Sequence, residues 1–419
     1  MKGRLFTGHP AAVPAVLLAL IMAMLFLAGC GRSEKKQKSA EETTRIEDMN
    51  PENIDRITME GIVSDILSRM TLEEKVGQLF IVSTDSLDFD AETEKTDQMI
   101  ERLEKYKPGG VIFFSFNIKD RKQLTKFITD MQATASIPLF IAVDEEGGNV
   151  SRVASNDKMG LEKIASMSEI GQTGDSREAY RVGETIGSGI HELGFNLDFA
   201  PVADVRTNET NTEIGDRSFG SDPALVSEMV SMEVKGLQSQ GVSATLKHFP
   251  GQGDTGEDTH KGYVDLDTNI DRLRKVEFKP FEAGIKAGAD FVMVSHVSVK
   301  AVTGQDVPAS LSKLMVSDIL RDELSFDGII ITDALNMKGI TKFYDSLQAS
   351  QMAVEAGNDM ILMPDDFVTS CEGLTELVEE GTVSESVIDR AVSRILEVKI
   401  RRGILPLTSD MVRSSGGEE

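Results

Sequence analysis

The sequence predicts an α/β fold, a single (β/α)8 barrel of the TIM type. Eight short runs of apolar and β-branched residues recur through residues 59–406, and helix-like stretches separate them. Such runs are typical of parallel strands covered by helices on both faces, and eight of them in one body favour a barrel. A doubly wound open sheet is the competing topology. The first run does not lead into a G-x-G-x-x-G motif, which disfavours a dinucleotide-binding fold.

The predicted strands follow one another at spacings that leave room for helices between them. In chain order they are QLFIVS from residue 78, GVIFFS from 110, LFIAVD from 139, FNLDFAPV from 195, VSATLKHF from 242, FVMVSHV from 291, GIIITDA from 328 and MILMPD from 360. Helices are predicted for stretches such as REAYRVGETIGSGIHELG from Arg177 and FEAGIKAGA from Phe281. Thr71 and Glu74 have the Thr-x-x-Glu spacing of a capping box, which predicts a helix start there.

The first 30 residues are interpreted as an export signal of the lipoprotein type. Lys2 and Arg4 give a positive start, an uncharged apolar stretch runs from residue 11 to residue 29, and the sequence LAGC ends at Cys30. LAGC resembles a bacterial lipobox, which implies that Cys30 is lipidated after cleavage. An uncleaved membrane anchor is the alternative. Both interpretations place the rest of the chain outside the cytoplasm, held to the bacterial cell membrane.

The remaining chain divides into three segments by composition. Residues 31–58 and 407–419 are polar and lack apolar periodicity, so they are interpreted as a flexible tether and a disordered tail. Residues 59–406 form the predicted catalytic domain, which is expected to be a monomer. Cys371 has no intramolecular partner once Cys30 is lipidated, so no disulfide is expected. Its helical surroundings predict a buried or half-buried thiol.

Charge and aromatic content limit the classes of partner. The chain carries 69 Asp and Glu against 44 Lys and Arg, a net charge of -25. This balance argues against nucleic acid, whose phosphates require a basic surface, and is compatible with an enzyme that acts on small or neutral substrates. Trp is absent and aromatic residues make up 5% of the chain, so an aromatic stacking platform is not expected.

Polar residues follow most of the predicted strands at the same end. In a (β/α)8 barrel the chemistry belongs to the C-terminal strand ends. The candidates there are DEEGGNVSR from Asp144 to Arg152 after the third strand, Arg217 in GDRSFG downstream of the fourth, Lys247 and His248 on the fifth, Ser295 and His296 on the sixth, and Asp333 after the seventh. Five strand ends in register predict one common site.

Three kinds of site remain open from these residues alone. His248, His260 and His296 could converge on a metal, but the first strand lacks the His-x-His of amidohydrolase-type barrels, so no metal or cofactor is expected. Asp333 leaves an apolar strand at the barrel mouth, where it could be the nucleophile of a glycosidase or only the N-cap of the next helix. A non-catalytic sugar-binding lipoprotein is the third possibility.

Five motifs together resemble glycoside hydrolase family 3, and within it the bacterial β-N-acetylglucosaminidases. They are DEEGGNVSR, NLDFAPVADV, GDRSFG, KHFPGQGDT…DTH and ITDALNM, spread in the family's order over about residues 60–400. The resemblance implies a retaining mechanism with Asp333 as the nucleophile. It also implies that the terminal sugar is held by Asp144, Arg152, Arg217, Lys247 and His248.

The same resemblance implies a histidine as proton donor on the loop after the fifth strand. Asp258 and His260 fall on the Asp-x-His pair that distinguishes this subgroup. Asp258 would favour the imidazolium form and orient the ring, and His260 would protonate the leaving oxygen and later deprotonate the attacking water. The family usually has a second histidine where this chain has Gln252.

The implied activity is that of a lipid-anchored exo-β-N-acetylglucosaminidase acting on peptidoglycan fragments. Phosphorolysis on the same scaffold is an alternative, because a neutral histidine in the base role would not repel phosphate as a carboxylate would. β-Glucosidase activity and a sugar-binding lipoprotein with a silent site also stay open. Only a short tail follows the last predicted barrel helix, so the one-domain form of the family is expected.

Overall fold

The computed structural model describes residues 54–89, 92–256 and 264–407, and each of the eight predicted strands is present. The strands are β1 Phe80–Ser83, β2 Gly110–Ile112, β3 Phe140–Val143, β4 Leu197–Asp198, β5 Ser243–Phe249, β6 Phe291–Val294, β7 Ile329–Thr332 and β8 Ile361–Leu362. The predicted lipidation site Cys30 and the predicted pair Asp258 and His260 lie outside the described residues.

The eight strands form one parallel sheet that curves round on itself. Their order is β7-β6-β5-β4-β3-β2-β1-β8, and all neighbouring pairs in this order are parallel. A parallel bridge between Ile331 in β7 and Met360, just before β8, brings the two ends of the sheet together. The predicted (β/α)8 barrel is therefore confirmed, and the open doubly wound sheet is wrong.

In six of the strands, β1–β3 and β6–β8, alternate residues belong to two separate cores. Phe140 and Phe291 pack edge to face inside the barrel, with ring centroids 5.2 Å apart. Their chain neighbours Ile141 and Val292 face the surrounding helices and belong to the outer core. Because side chains alternate across a strand, both faces of these six strands are apolar. This explains the unbroken apolar runs from which the barrel is predicted.

Helices cover the outside of the barrel. They are α1 Arg56–Arg69, α2 Leu72–Gln78, α3 Thr84–Leu87, α4 Asp97–Tyr106, α5 Arg121–Thr134, α6 Met167–Gln172, α7 Ser176–His191, α8 Pro223–Ser239, α9 Ile270–Lys275, α10 Phe278–Lys286, α11 Lys300–Thr303, α12 Lys338–Thr341, α13 Ser346–Ala356, α14 Phe367–Glu379 and α15 Glu385–Arg401, with a π-helix at Leu314–Glu323. Two of them, α7 and α10, confirm the helices predicted around residues 177 and 281. None of the helices in the described part of the chain is both long and apolar enough to cross a membrane.

The capping box predicted at the start of α2 is confirmed. The backbone N–H of Glu74 donates to Oγ1 of Thr71 at 3.3 Å, and the backbone N–H of Thr71 donates to Oε2 of Glu74 at 3.0 Å. Each residue thus satisfies a backbone donor that the first turn of a helix leaves unpaired. The start of α2 is therefore fixed by local sequence, independently of packing.

Helix α1 lies at the end of the barrel where the strands begin. Ile54 and Met59 line a groove together with Asp290 and Gly328, which directly precede β6 and β7. The carboxylate of Asp55 accepts a hydrogen bond from the first turn of α1 at 3.0 Å. This cap starts the helix at residue 56, so α1 includes the last three residues of the segment predicted as a tether, 56–58.

Cys371 occupies a buried position on α14, as its helical surroundings predict. Only 3% of its surface is exposed, and burial raises the pKa of the thiol to about 12. Since the thiolate is the reactive form of cysteine, the thiol is chemically inert at neutral pH. Cys371 therefore belongs to the packing of the outer core.

Candidate active site

A cleft of about 340 Å³ opens at the C-terminal ends of the strands, where (β/α)8 barrels carry their active sites. Its wall includes every predicted catalytic or sugar-binding residue that the structure describes, namely Asp144, Arg152, Arg217, Lys247, His248 and Asp333. These side chains come from β5 and from the segments that follow β3, β4 and β7. The structure thus brings the six residues together, while their individual roles stay predictions.

A buried carboxylate, Glu146, joins two of these residues. Its Oε1 lies 2.8 Å from Nη2 of Arg217 and 2.5 Å from Nζ of Lys247, and its Oε2 accepts from Nε of Arg217 at 2.8 Å. Nζ of Lys247 also lies 2.7 Å from Oδ1 of Asp144. Two cations and two carboxylates therefore form one cluster on the cleft wall. Glu146 is the residue that sequence reasoning missed, although it lies inside the quoted motif DEEGGNVSR.

Burial and charge oppose one another in this cluster. Burial alone would raise the pKa of Glu146, but the positive charges of Lys247 and Arg217 hold that pKa well below its ordinary value. Burial alone would lower the pKa of Lys247 and of Arg217, but the carboxylates of Asp144 and Glu146 raise both. All these shifts favour the charged forms. At neutral pH Glu146, Arg217 and Lys247 therefore carry fixed charges on the cleft wall.

The turn after β3 decides which of three consecutive acidic side chains reach the cleft. The carboxylate of Glu145 accepts hydrogen bonds from the backbone N–H groups of residues 153–154 at 2.7 and 3.2 Å, and burial raises its pKa. Gly147 then has a φ of 87°, a conformation that is accessible to glycine without strain. This arrangement uses Glu145 to hold the loop and leaves Asp144 and Glu146 on the cleft wall.

His248 is held in one tautomer by its neighbours. Its Nδ1 lies 2.8 Å from Oδ2 of Asp204, and its Nε2 lies 3.4 Å from Nη2 of Arg217. A guanidinium only donates hydrogen bonds, so Nε2 is the acceptor and Nδ1 carries the hydrogen toward Asp204. Asp204 also accepts from the backbone N–H of His248 at 3.2 Å. The buried aspartate therefore fixes both the ring and the backbone of this residue.

Gln252, where the chain departs from the family pattern, is buried in the segment that follows β5. Its side chain is 1% exposed, and neither amide atom has a hydrogen-bond partner among the described residues. Its backbone is well held, because its N–H donates to Asp204 at 2.6 Å and its carbonyl oxygen accepts from Nδ2 of Asn211 at 2.7 Å. The position of this loop segment thus depends on backbone contacts and not on the substituted side chain.

Asp333 follows β7 at the edge of the cleft. Its backbone N–H donates to the carbonyl oxygen of Val294, and the N–H of Ala334 donates to its Oδ1, both at 2.8 Å. Behind it, Nε2 of His296 lies 3.0 Å from the carbonyl oxygen of Ala334, and Nδ1 lies 2.8 Å from Oγ of Ser310. A carbonyl only accepts, so Nε2 carries the hydrogen. His296 therefore supports the peptide next to Asp333, a role that the sequence did not reveal.

The two described histidines that were weighed as metal ligands are engaged elsewhere. His248 and His296 both have their two ring nitrogens within hydrogen-bond distance of protein groups. In the described part of the chain, no group of three or more His, Cys, Asp or Glu is arranged to hold a metal ion. The third histidine of that hypothesis, His260, lies outside the described residues.

The two sides of the cleft differ in polarity. On the charged side, Arg152 adds a guanidinium whose buried Nε has no hydrogen-bond partner among the described residues. Its apolar side consists of Ile112, Phe114, Met293, Leu362 and Met363, of which Ile112, Met293 and Leu362 also belong to the core inside the barrel. The charged side comes from the segments around β3 to β5, and the apolar side from β2, β6 and β8. A ligand that fits this cleft must be polar along one edge and apolar on another.

Comparisons with known proteins place this cleft in a family context. The family model described as glycosyl hydrolase family 3 N terminal domain matches residues 71–398. The β-hexosaminidase A of Pseudoalteromonas piscicida is 32% identical over 340 residues, which are 74% of this chain and 56% of that protein. A β-hexosaminidase of Stenotrophomonas maltophilia is 34% identical over 279 residues, which are 65% of this chain and 81% of that protein. The chain thus spans just over half the length of the first of these relatives.

A solved structure shows the same fold over most of the chain. The glycoside hydrolase family 3 β-N-acetylglucosaminidase from Paenibacillus sp. matches with a TM-score of 0.75 and 35% sequence identity. The match covers 83% of this chain and 68% of that protein. The similarity therefore includes the barrel and the strand ends that form the cleft.

Proposed function

The chain belongs to glycosyl hydrolase family 3, and from its cleft we propose that it is a retaining exo-β-N-acetylglucosaminidase. In this proposal the enzyme removes a terminal β-linked N-acetylglucosamine through a covalent glycosyl-aspartate intermediate. The observation that carries the proposal is the convergence of Asp333 with Asp144, Lys247 and Arg217 in one cleft. The relatives named β-hexosaminidase and β-N-acetylglucosaminidase support the choice of an amino sugar.

The polarity of the cleft suits a pyranose ring. Lys247 and Arg217 supply charged donors to sugar hydroxyl groups, and Asp144 supplies an acceptor. Glu146 holds both cations in place before the sugar arrives, and such preorganisation lowers the cost of binding. The apolar side of the cleft accepts the C–H face of the ring. Arg152 lines the same cleft, and its guanidinium supplies further donors to the sugar.

The proposed reaction proceeds in two displacements at the anomeric carbon. A carboxylate oxygen of Asp333 attacks that carbon while its bond to the leaving oxygen breaks, and the leaving oxygen takes a proton from His260. The sugar is then an ester of Asp333. Water attacks the same carbon, gives its proton to His260, and Asp333 departs as a carboxylate. The hydrogen bond from the N–H of Ala334 to Oδ1 of Asp333 restricts the rotation of the attacking group.

The acid/base role of His260, with Asp258 as its partner, rests on the sequence motif alone. The described residues just before this loop form hydrogen bonds with the segment that follows β4. Oγ1 of Thr207 donates to Oδ1 of Asp254 at 2.5 Å, and Nδ2 of Asn211 donates to Oγ1 of Thr255 at 3.1 Å. The loop therefore starts from a segment that is held by hydrogen bonds. A proton donor on the loop that must reach the glycosidic oxygen requires such a fixed start.

We also propose that Cys30 is lipidated and that the enzyme acts outside the cytoplasm on muropeptides. The support is the sequence LAGC after an uncharged apolar stretch. Peptidoglycan fragments carry terminal N-acetylglucosamine, so they belong to the class of substrate that the proposed site would take. Both parts of this proposal stand on sequence and chemistry.

Hydrolysis of aryl β-N-acetylglucosaminide beside aryl β-glucoside tests the proposed activity. We expect the acetamido sugar to be preferred, and free N-acetylglucosamine to be released with or without phosphate. Comparable kcat/KM values for the two substrates would favour a β-glucosidase, and a sugar 1-phosphate product would favour a phosphorylase. Asp333→Ala should lose turnover by several orders of magnitude because the covalent intermediate cannot form. A folded wild-type protein without turnover would favour a binding lipoprotein.

The leaving group distinguishes His260 as acid/base from His260 as a sugar-binding residue. A sugar hydroxyl needs protonation as it leaves, whereas a nitrophenolate hardly does. His260→Ala should therefore lower the rate of the first step far more on a disaccharide than on an activated aryl glycoside. Azide should partly restore the second step, since it attacks without a general base. Equal losses on both substrates would assign His260 to binding.

A further inference from the structure

An aromatic pair continues the apolar side of the cleft onto its rim. Phe114 lines the cleft, and Phe116 stacks on Phe114 with ring centroids 5.8 Å apart and planes inclined by 12°. Phe116 is 48% exposed. The low aromatic content of the chain predicts no stacking platform, and this pair is the local exception that we consider below. Phe114 lines the same cleft as Asp333, so the pair begins at the cleft that holds the proposed nucleophile.

The turn that carries this pair is fixed by a buried side chain. Asn117 is fully buried, and its Oδ1 accepts from the backbone N–H of Phe114 at 2.8 Å. Its Nδ2 donates to Oγ1 of Thr84 at 2.8 Å and to the carbonyl oxygen of Glu92 at 2.7 Å. The backbone of the turn that presents Phe116 is thus held before any ligand arrives. A preorganised aromatic ring loses little conformational entropy on binding.

Exposure alone would not distinguish Phe116. Phe89 and Phe343 are also exposed, at 85% and 57%, and single apolar side chains are common on protein surfaces. Phe116 differs because it stacks on a residue of the cleft wall, so cleft and rim form one apolar surface. That surface carries no charge, whereas the side built from β3 to β5 holds the charged cluster. The two sides would therefore contact different parts of a substrate.

We propose that Phe116, backed by Phe114, is the platform for the leaving-group sugar of a disaccharide substrate. The inference rests on the proposed function and adds the part of the site that selects the aglycone. With the terminal sugar on the charged cluster and its anomeric carbon at Asp333, the second ring extends out of the cleft toward the rim. A pyranose has an apolar C–H face, and an aromatic ring binds such a face through dispersion and burial of apolar surface.

This platform would recognise a ring and not a particular hydroxyl pattern. Phenylalanine offers no hydrogen-bond donor or acceptor, so substituents that point away from the stacked face are tolerated. The predicted substrate class is therefore a β-linked N-acetylglucosaminide whose leaving group is itself a pyranose. A leaving group without a ring should gain nothing from Phe116.

The test compares two substrates that differ only in the leaving group. They are the β-1,4-linked disaccharide of N-acetylglucosamine and the methyl β-N-acetylglucosaminide. Phe116→Ala should lower kcat/KM about three- to tenfold on the disaccharide, the size typical of one aromatic contact, mainly through KM. The methyl glycoside should react as with the wild type. Phe116→Tyr should retain the disaccharide activity, and Phe89→Ala is the matched control, an exposed phenylalanine in the segment between α3 and α4.

A spectroscopic readout complements the kinetics. The chain contains no Trp, so Phe116→Trp introduces one reporter at the platform. In an Asp333→Asn background, which does not turn over, the disaccharide should change the emission of this residue and the methyl glycoside should not. A change of equal size with both ligands would place the reporter near the terminal sugar and overturn the platform.

The outcomes separate this inference from the function on which it rests. A wild-type protein that cleaves neither substrate overturns the proposed function and the platform with it. If the wild type cleaves both, the proposed function stands, and the platform fails when Phe116→Ala loses equally on both substrates or on neither. An equal loss in Phe89→Ala would also overturn the assignment, because it would show an effect common to the whole rim.

Discussion

Replacing Glu233 by methionine should stabilise the protein and flatten the dependence of its stability on pH. Glu233 lies on α8 and is fully buried, and neither of its carboxylate oxygens has a hydrogen-bond partner among the described residues. Burial raises the pKa of Glu233 to about 8 from the ordinary value of 4.5, with Glu146 adding to the shift and Lys247 opposing it. The folded and unfolded states therefore differ in bound protons between these two pH values.

The expected magnitude follows from that difference. The folded state keeps a proton that the unfolded state releases, so the free energy of unfolding falls as the pH rises from 4.5 to 8. At pH 7, about 2.5 pH units above 4.5, the free energy of unfolding has fallen by roughly 3 kcal/mol, at about 1.36 kcal/mol per pH unit. Above pH 8 the full shift corresponds to roughly 5 kcal/mol. Below pH 4.5 both states are protonated and the loss vanishes.

Urea unfolding between pH 5 and pH 8.5, followed by far-ultraviolet circular dichroism, measures this effect. Glu233→Met should exceed the wild type by about 3 kcal/mol at pH 7 and by much less at pH 5. Glu233→Gln should share the flatter pH profile with a smaller gain, because a buried amide without partners also has a cost. Glu228→Met, an exposed glutamate on the same helix whose carboxylate accepts from Ser176 at 2.7 Å, is the control. A wild-type pH slope in Glu233→Gln would refute the reasoning.

Three further changes have defined outcomes. In Glu146→Gln, Arg217 and Lys247 lose their shared counter-charge. The free energy of unfolding should therefore fall by about 3 kcal/mol, and kcat/KM on an aryl N-acetylglucosaminide should fall about a hundredfold. Unchanged kinetics would contradict the positioning role of Glu146. Burial lowers the pKa of Lys399 to about 7, so wild-type stability should fall as the pH drops from 10.5 to 7. The increase in the free energy of unfolding that Lys399→Met produces, measured by urea unfolding, should therefore be larger at pH 7 than at pH 9. Equal increases at the two pH values would refute this expectation. Cys30→Ala should release the protein from the membrane fraction or block its processing, since one acyl chain binds weakly and several bind stably; processed protein that still sediments with membranes would exclude the lipobox.

The barrel could be predicted because its determinants are local and repeated. Both faces of every strand are buried, and six of the eight strands have apolar side chains on both faces, so these six leave readable apolar runs. The fourth run is the least accurate, because the observed strand β4 covers only Leu197–Asp198 of the predicted FNLDFAPV. Pro201 lacks a backbone N–H and helps explain why regular pairing stops there. The sequence therefore locates strands well and their ends poorly.

Only those residues of the site that lie at strand ends could be predicted from the sequence pattern. Asp144, Lys247 and Asp333 sit where the chain leaves a strand, and their convergence follows from the parallel barrel alone. Glu146 was missed because the turn at Gly147 determines which of three consecutive acidic side chains reach the cleft. Residue spacing does not reveal the geometry of that turn. His296 was considered as a metal ligand, but its ring supports the peptide of Ala334 from behind. Such support depends on side-chain direction, which no motif encodes.

The position of α1 sets the point at which the proposed lipid anchor would join the barrel. Ile54 and Met59 lie beside the residues that precede β6 and β7, whereas the cleft opens where the strands end. Under the proposed lipid anchor at Cys30, the barrel would be joined to the acyl chains through the start of α1. The attachment point would thus lie at the end of the barrel opposite the cleft. Polymeric cell-wall material above the membrane could then approach the cleft without passing between the protein and the lipid headgroups.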